Sequence, residues 1–303
     1  MSDSDKSVSR YGIGEWYGKN IANISSDERS RLAKVKKNKS QPCPFKGIDT
    51  MCNKTDGVCT LANYERNANS TSCNNVSVNT NNLVTTCPNR FWQKNLIFYE
   101  ISKDLLKTEK PKLIPEVGFL QGKDAKGNTL PSTVGRLDLI VANIAPDNSI
   151  IDWCALEMQA VYFSGASMKK DINKIYDQHG GITFPTGIRR PDFRSSGPKR
   201  LMPQLQIKVP TLRRWGKKMV VVIDYSFFNS MAPMEREQDI SNADILWLIV
   251  NYDNKNTLYI EDKVYTTLES SVTGLTAGVP IPLDNFEEKI LKTIQDGSKI
   301  ISF

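Results

Sequence analysis

The sequence predicts a mixed α/β fold, a central sheet flanked by helices, on three observations. Four apolar runs of strand length (Arg136 to Ile144, Ile150 to Tyr162, Met219 to Phe228 and Asp244 to Tyr252) supply the sheet, with a weaker pair around Leu258 to Leu268. Stretches around Phe91 to Leu106, Gly165 to Gln178 and Asp284 to Ile294 space their apolar residues as helices do. A polar, cysteine-bearing stretch, Gln41 to Arg90, stands ahead of them as a separate small module. The 303 residues are enough for a substantial core, and 39% hydrophobic with 24% charged is ordinary for a globular chain. No apolar run reaches the ~18 residues of a membrane span, and the N-terminus lacks the apolar segment of a signal peptide, so a cytoplasmic location is expected. The organisation predicted is an N-terminal arm and basic helix over 1–40, the cysteine module over 41–90 and a core over 91–303.

Taken in order, the chain opens with a polar arm. Ser25-Ser26-Asp27-Glu28 is cap chemistry ahead of a basic helix reaching Lys39, whose Lys34, Lys36, Lys37 and Lys39 read first as a solvated helix end. Residues 41–90 are rich in Asn, Ser and Thr, poor in aliphatics, and hold five of the six cysteines: Cys43, Cys52, Cys59, Cys73 and Cys87. So polar a segment needs a staple, and in a cytoplasmic chain a metal is better suited than disulfides. Four thiolates close a tetrahedral site for zinc or iron. The spacing is not the paired C-x-x-C of a zinc ribbon, and on composition alone unrelated free cysteines fit equally well. Phe91 to Leu106 then reads as a core-packing helix stopped at Lys110-Pro111, and Lys123 to Asn128 as a turn.

The hairpin from Val134 to Tyr162 organises the rest. Pro146-Asp147-Asn148-Ser149 has turn chemistry between two apolar runs; with Asp147-Asn148 as central residues, paired positions sum to 295 and Asp138 lies across from Glu157. Opposed carboxylates on an apolar sheet are destabilising, so a cation between them is expected, and hard oxygen ligands suit Mg²⁺. Gln159, two residues on, shares the face of Glu157. The bland alternative, Asp138 at a strand end and Glu157 in solvent, needs only a one-residue slip.

After the hairpin, Gly165 to Gln178 reads as a helix stopped by His179-Gly180-Gly181. His179 is the only histidine, which excludes any mechanism or metal site needing two, and no Gly-rich phosphate loop is present. Between Arg189 and Lys218 the composition shifts most. Arg189, Arg190, Arg194, Lys199, Arg200, Lys208, Arg213, Arg214, Lys217 and Lys218 stand against Asp192 alone, a net of +9 where the whole chain carries +7. Such clustering suits phosphate contacts, with arginine also able to read guanine edges; a solvated basic loop is the plainer reading. A helix closes the chain, with Asp284 as N-cap, Phe286, Ile290 and Ile294 on one face and Gly297 as stop.

Cys43-Pro44-Phe45, Cys52, Gly57-Val58-Cys59 and Cys87-Pro88-Asn89-Arg90, followed by Asp138 and Leu156-Glu157-Met158-Gln159, resemble the NotI-like type II restriction endonucleases over most of the chain. The resemblance implies a PD-(D/E)XK nuclease core behind a module holding one structural metal, iron or zinc, on Cys43, Cys52, Cys59 and Cys87; Cys73 and Cys154 match nothing in the pattern. It implies an active site of Asp138, Glu157 and Gln159, with Mg²⁺ held by Asp138, Glu157 and the carbonyl of Met158. Most members of the broader superfamily have lysine where Gln159 stands, and the missing charge is expected from Lys169 or Lys170. The proline usual before the first aspartate is also absent, since Arg136-Leu137 precede Asp138. Implied partners are double-stranded DNA, a second subunit in a homodimer and a cognate DNA methyltransferase. A metal-stapled DNA-binding protein without catalysis, and a repair or RNA-processing nuclease on the same core, are the competing readings.

Overall fold

The computed structural model describes residues 7–35, 41–47, 49–67, 76–278 and 281–296. Lys36, Lys37, Lys39, Cys73 and Gly297 lie outside them. The residues expected as an arm form a strand, β1 (Ser7–Trp16), whose Ile13 and Trp16 are buried. It turns back on β2 (Lys19–Asn20) through Tyr17 and Gly18, both at positive φ, the geometry that two-residue hairpins need. α1 (Ser26–Ala33) starts as expected, the Ser25 hydroxyl accepting from the Glu28 N–H at 3.2 Å, and ends well short of Lys39. With β3 (Val58–Asn67) and β4 (Val76–Thr85), the first strands make an antiparallel sheet in the order β2-β1-β3-β4, so the N-terminal residues and the cysteine-bearing segment share one sheet.

The expected helix over Phe91 to Leu106 is a tight turn at Pro88–Asn95, α2 (Leu96–Ile101) and a wider turn at Ser102–Leu106. β5 (Lys112–Lys123), β6 (Thr129–Ile144) and β7 (Ile150–Met158) form a meander. β8 (Tyr162–Gly165) pairs with β9 (Arg189–Asp192) across α3 (Lys169–Asp177), which ends as predicted, His179 and Gly180 turning at positive φ. α4 (Phe193–Ser196) and α5 (Met202–Arg214) lead into β10 (Met219–Asp224), α6 (Tyr225–Asn229), β11 (Ile245–Tyr252), β12 (Leu258–Thr266), α7 (Leu268–Leu275) and α8 (Leu283–Asp296). The main sheet has the order β12-β11-β10-β7-β6-β5, with parallel pairing only at β7/β10 and β10/β11. All six residues of β10 are buried, as in a parallel strand covered on both faces.

Two segments depart from expectation. The basic stretch is no surface loop: Leu201, Leu205, Val209 and Leu212 form a buried stripe that makes α5 part of the core. Charges on the outer face of the helix had masked that stripe in the composition. α8 carries Phe286, Ile290 and Ile294 at helical spacing, yet none of its residues is buried. Among the described residues no helix is long and apolar enough to cross a membrane.

Candidate active site

The hairpin supplies the first two candidate side chains, Asp138 and Glu157. Leu139 to Asn143 pair with Leu156 to Asp152 with positions summing to 295, and the same register one step further sets Asp138 against Glu157. The turn reaches that register by a different route. Asn148, at positive φ, donates to Ala145 and Ala145 to Ser149, a loop of three central residues that sets a sum of 294 at Ile144 and Ile150. A bulge then adds Ile151 to β7 and restores 295.

A third side chain comes from α5. The Lys208 ammonium donates to Glu157 Oε2 at 2.6 Å, to Gln204 Oε1 at 2.8 Å and to Asp138 Oδ1 at 3.1 Å, so each of its three protons has an acceptor. Lys208 and Glu157 are buried, whereas the Asp138 side chain is 54% exposed. Burial pushes the Glu157 carboxyl above the usual range, the Lys208 charge opposes this, and the neighbouring Asp138 adds to it. The carboxylates thus already share one cation, which is the test that a divalent ion's ligands must meet. Beside Asp138 opens a cleft of about 800 Å³, lined by Lys46 and Asn89 from the cysteine segment, by Trp92 from the turn that follows it and by Glu116, Arg136 and Met158 from the sheet.

Gln159 is buried just beyond β7, its side-chain N–H donating to the Ala160 carbonyl at 2.6 Å, and its backbone N–H continues the pairing to Val222. Lys169 and Lys170 are exposed on α3; the ammonium at the carboxylates is that of Lys208. The lysine had been grouped with the phosphate-binding cations. The signal that singles it out is its place on the buried stripe of α5, three residues after Leu205 and four before Leu212, where an apolar residue is expected.

The other basic residues divide. Arg189 is buried against Asp171 at 2.5 Å and donates to the carbonyls of Tyr11, Ala166 and Ser167, fastening β9 to the first sheet and α3. Arg213 is paired with Asp244 and Glu269, Lys217 with Asp152, and Lys218 with the carbonyls of Ser241 and Ala243. Arg190, Arg194, Lys199, Arg200 and Arg214 are exposed and make no ion pair among the described residues, Arg200 lying over the Tyr162 ring at 3.8 Å.

Cys43, Cys59 and Cys87 are buried and Cys52 is half-buried, all four as free thiols. Burial raises the Cys52, Cys59 and Cys87 thiols, and the neighbouring sulfurs add to it: Cys87 and Cys52 on Cys59, Cys52 and Cys43 on Cys87, Cys43 on Cys52. They are neighbours, yet among the described residues no group of three or more Cys, His, Asp or Glu side chains is arranged to hold a metal ion. The Cys-Pro-Asn-Arg stretch has another function that sequence reasoning missed. Arg90 is fully buried, bonded to Glu15 at 2.7 Å, Gln93 at 3.1 Å and the Asn256 carbonyl at 2.5 Å, and flanked by the rings of Phe45 and Tyr252. It ties the cysteine segment to both sheets.

Two acids closing on one cation position beside an open cleft are an arrangement that suits phosphodiester hydrolysis. The particular kind follows from comparison: residues 27–262 match the family model of restriction endonuclease NotI, and the chain belongs to that family. It is accordingly a type II site-specific deoxyribonuclease, a hydrolase acting on double-stranded DNA. Among curated proteins none matches the chain.

Proposed function

We propose that the protein cuts both strands of a specific palindromic DNA site by Mg²⁺-dependent phosphodiester hydrolysis, leaving 5′-phosphate and 3′-hydroxyl ends, on a core of the PD-(D/E)XK type. The observation that carries this reading is the convergence of Asp138 and Glu157 on a single cation position at the edge of the cleft. Asp138, Glu157 and the Met158 carbonyl would hold Mg²⁺, which supplies an activated water and neutralises charge building on the phosphate. Asp138, exposed to the cleft, meets the substrate side; Glu157, buried behind it, keeps the position dry and negative. Gln159, its amide held by Ala160, orients the water through its remaining polar groups and carries no charge of its own. Arg190, Arg194, Lys199, Arg200 and Arg214 are the exposed cations that suit phosphate contacts. A palindrome needs two such sites, so the working form is a homodimer. A cognate methyltransferase would protect host DNA, and the reaction belongs to the cytoplasm.

The cysteine segment is proposed to hold one structural iron or zinc on Cys43, Cys52, Cys59 and Cys87. Its support is the presence of four free thiols, three buried and one half-buried, in one segment; a closed tetrahedron requires them to draw together from their present positions. Elemental analysis expects one equivalent of metal per chain, falling below half in Cys59→Ala.

Digestion of a long, fully sequenced unmethylated DNA in Mg²⁺, run beside Glu157→Ala, tests the main reading. Discrete fragments from the wild type and none from the variant support it, and sequenced ends give the site. Binding without cutting in both Mg²⁺ and Mn²⁺ leaves the non-catalytic DNA-binding reading in its place.

A further inference from the structure

We propose that Lys208 is a catalytic residue: its ammonium holds the cation position between Asp138 and Glu157 in the free enzyme, and moves onto the scissile phosphate once a divalent ion takes the carboxylates. The proposal rests on the nuclease reading above and adds a residue from a different element to it.

The argument begins with a residue in the wrong place for a core helix. Leu205, Val209 and Leu212 are buried on α5, and Lys208 is buried among them. A buried amine is costly unless paired, and replacing a buried ion pair by well-packed apolar residues is often neutral or stabilising. Stability alone therefore gives little reason for a lysine here. Its aim supplies the reason: three bonds, two of them to the two acids that β6 and β7 bring face to face.

Gln159, just beyond β7 and on the face of Glu157, is neutral and bonded to Ala160, and Arg136, which lines the cleft from β6, is paired with Glu116. The arrangement is also asymmetric in a useful way. Glu157 is buried while Asp138 faces the cleft, so whatever sits between them borders the space open to a phosphate. A divalent ion entering from the cleft competes with the ammonium for the same oxygens. Lysine's four-carbon stem lets the displaced charge travel a few ångströms while α5 stays packed, which suits a point charge meeting a phosphate oxygen. In this role Lys208 supplies charge and position only.

The test compares the wild type with Lys208→Met and with the double variant Gln159→Lys/Lys208→Met, which returns a lysine from the strand. Single-turnover cleavage in Mg²⁺, DNA affinity in Ca²⁺, Mn²⁺ affinity without DNA and thermal midpoint are measured for each. Lys208→Met is expected to cut roughly 10²- to 10³-fold more slowly with DNA affinity within about threefold, the signature of charge stabilisation confined to the transition state. Its Mn²⁺ affinity without DNA should rise about tenfold, because the resident competitor is gone. The double variant should recover cleavage to within about tenfold of the wild type, since the lost term is positional charge.

A folded Lys208→Met that cuts within about fivefold of the wild type, or whose Mn²⁺ affinity is unchanged, overturns the proposal, as the resident-cation argument then fails. If the single variant does not fold, the double is read against Gln159→Lys alone, which sets the cost of losing Gln159: a double that cuts as well as that control supports the role, and a folded but inactive double beside an active control overturns it. A wild type that leaves DNA intact in Mg²⁺ and in Mn²⁺ overturns the nuclease reading and this proposal together. An active wild type beside an equally active Lys208→Met removes only Lys208.

Discussion

Lys208 and Arg90 are both buried cations paired with buried acids, and they differ in how much freedom they keep. Arg90 bonds Glu15, Gln93 and Asn256 and is flanked by two rings, with no exposed atom on either charged partner. Lys208 makes its bonds at the tip of a flexible stem, and one partner, Asp138, is half in solvent. The first cation is locked by geometry that a planar guanidinium alone fits; the second can leave without disturbing what surrounds it. Burial and pairing by themselves do not tell a structural cation from a functional one. On the proposed role of Lys208, what separates the two is the access of Asp138 to the cleft.

The sharpest way to break the contrast is Arg90→Met. Leaving Glu15 buried and unpaired is expected to cost about 3 to 5 kcal/mol in chemical denaturation, and a loss below about 1 kcal/mol would show that Arg90 is no lock. Glu157→Gln is expected to lower cleavage by at least about 10³-fold, near 4 kcal/mol of barrier, while leaving the folded state intact in circular dichroism. Asp224 sharpens the locked side through pH. It caps α6 at the end of β10 and accepts from the Thr85 N–H of β4 at 2.6 Å, so it joins the two sheets, and burial pushes its carboxyl up to about 6. A carboxyl whose folded value lies above its unfolded value near 3.8 contributes stability in full below pH ~3.8 and loses it as pH rises through ~6. Against Asp224→Asn, the wild type should therefore lose about 3 kcal/mol of relative stability across that window, read from denaturant midpoints at each pH. The smallest effect separates exposed from buried arginine. Arg194→Ala should weaken DNA binding a few-fold and reduce the salt slope by about one, with thermal midpoint unchanged, whereas Arg189→Ala should lower the midpoint by breaking its pair with Asp171.

The pairing that underlies the candidate site was legible in the sequence where local pattern decides it. The apolar runs around Pro146 and the alternation along β6 and β7 were enough to bring Asp138 and Glu157 together. Lys208 was not legible as part of the site, because seventy residues separate it from Asp138 and its neighbours in sequence are phosphate-binding in kind. Arg189 was misjudged for the same reason: sequence shows charge, while the buried Asp171 that claims it is a tertiary fact. β1 was missed because a stretch holding Glu15 and four residues of Gly or Ser looks polar until β3 covers it. α8 has the periodicity of a core helix, and periodicity does not say what, if anything, lies against it.

Ile151 shows how a residue with no chemistry can set the chemistry. Counting along β7, it shifts the parity of every later position. Were it paired across from Asn143 instead of bulged, the loop at Asn148 would match Asp138 to Leu156 and Glu157 to Leu137, and the two acids would fall on opposite sides of the sheet. Removing Ile151 would erase the bulge and leave Asp138 across from Glu157, whereas removing or adding one paired residue between the loop and the two acids would move them to opposite faces. The side chain itself, largely exposed, is free to vary so long as it stays outside the ladder.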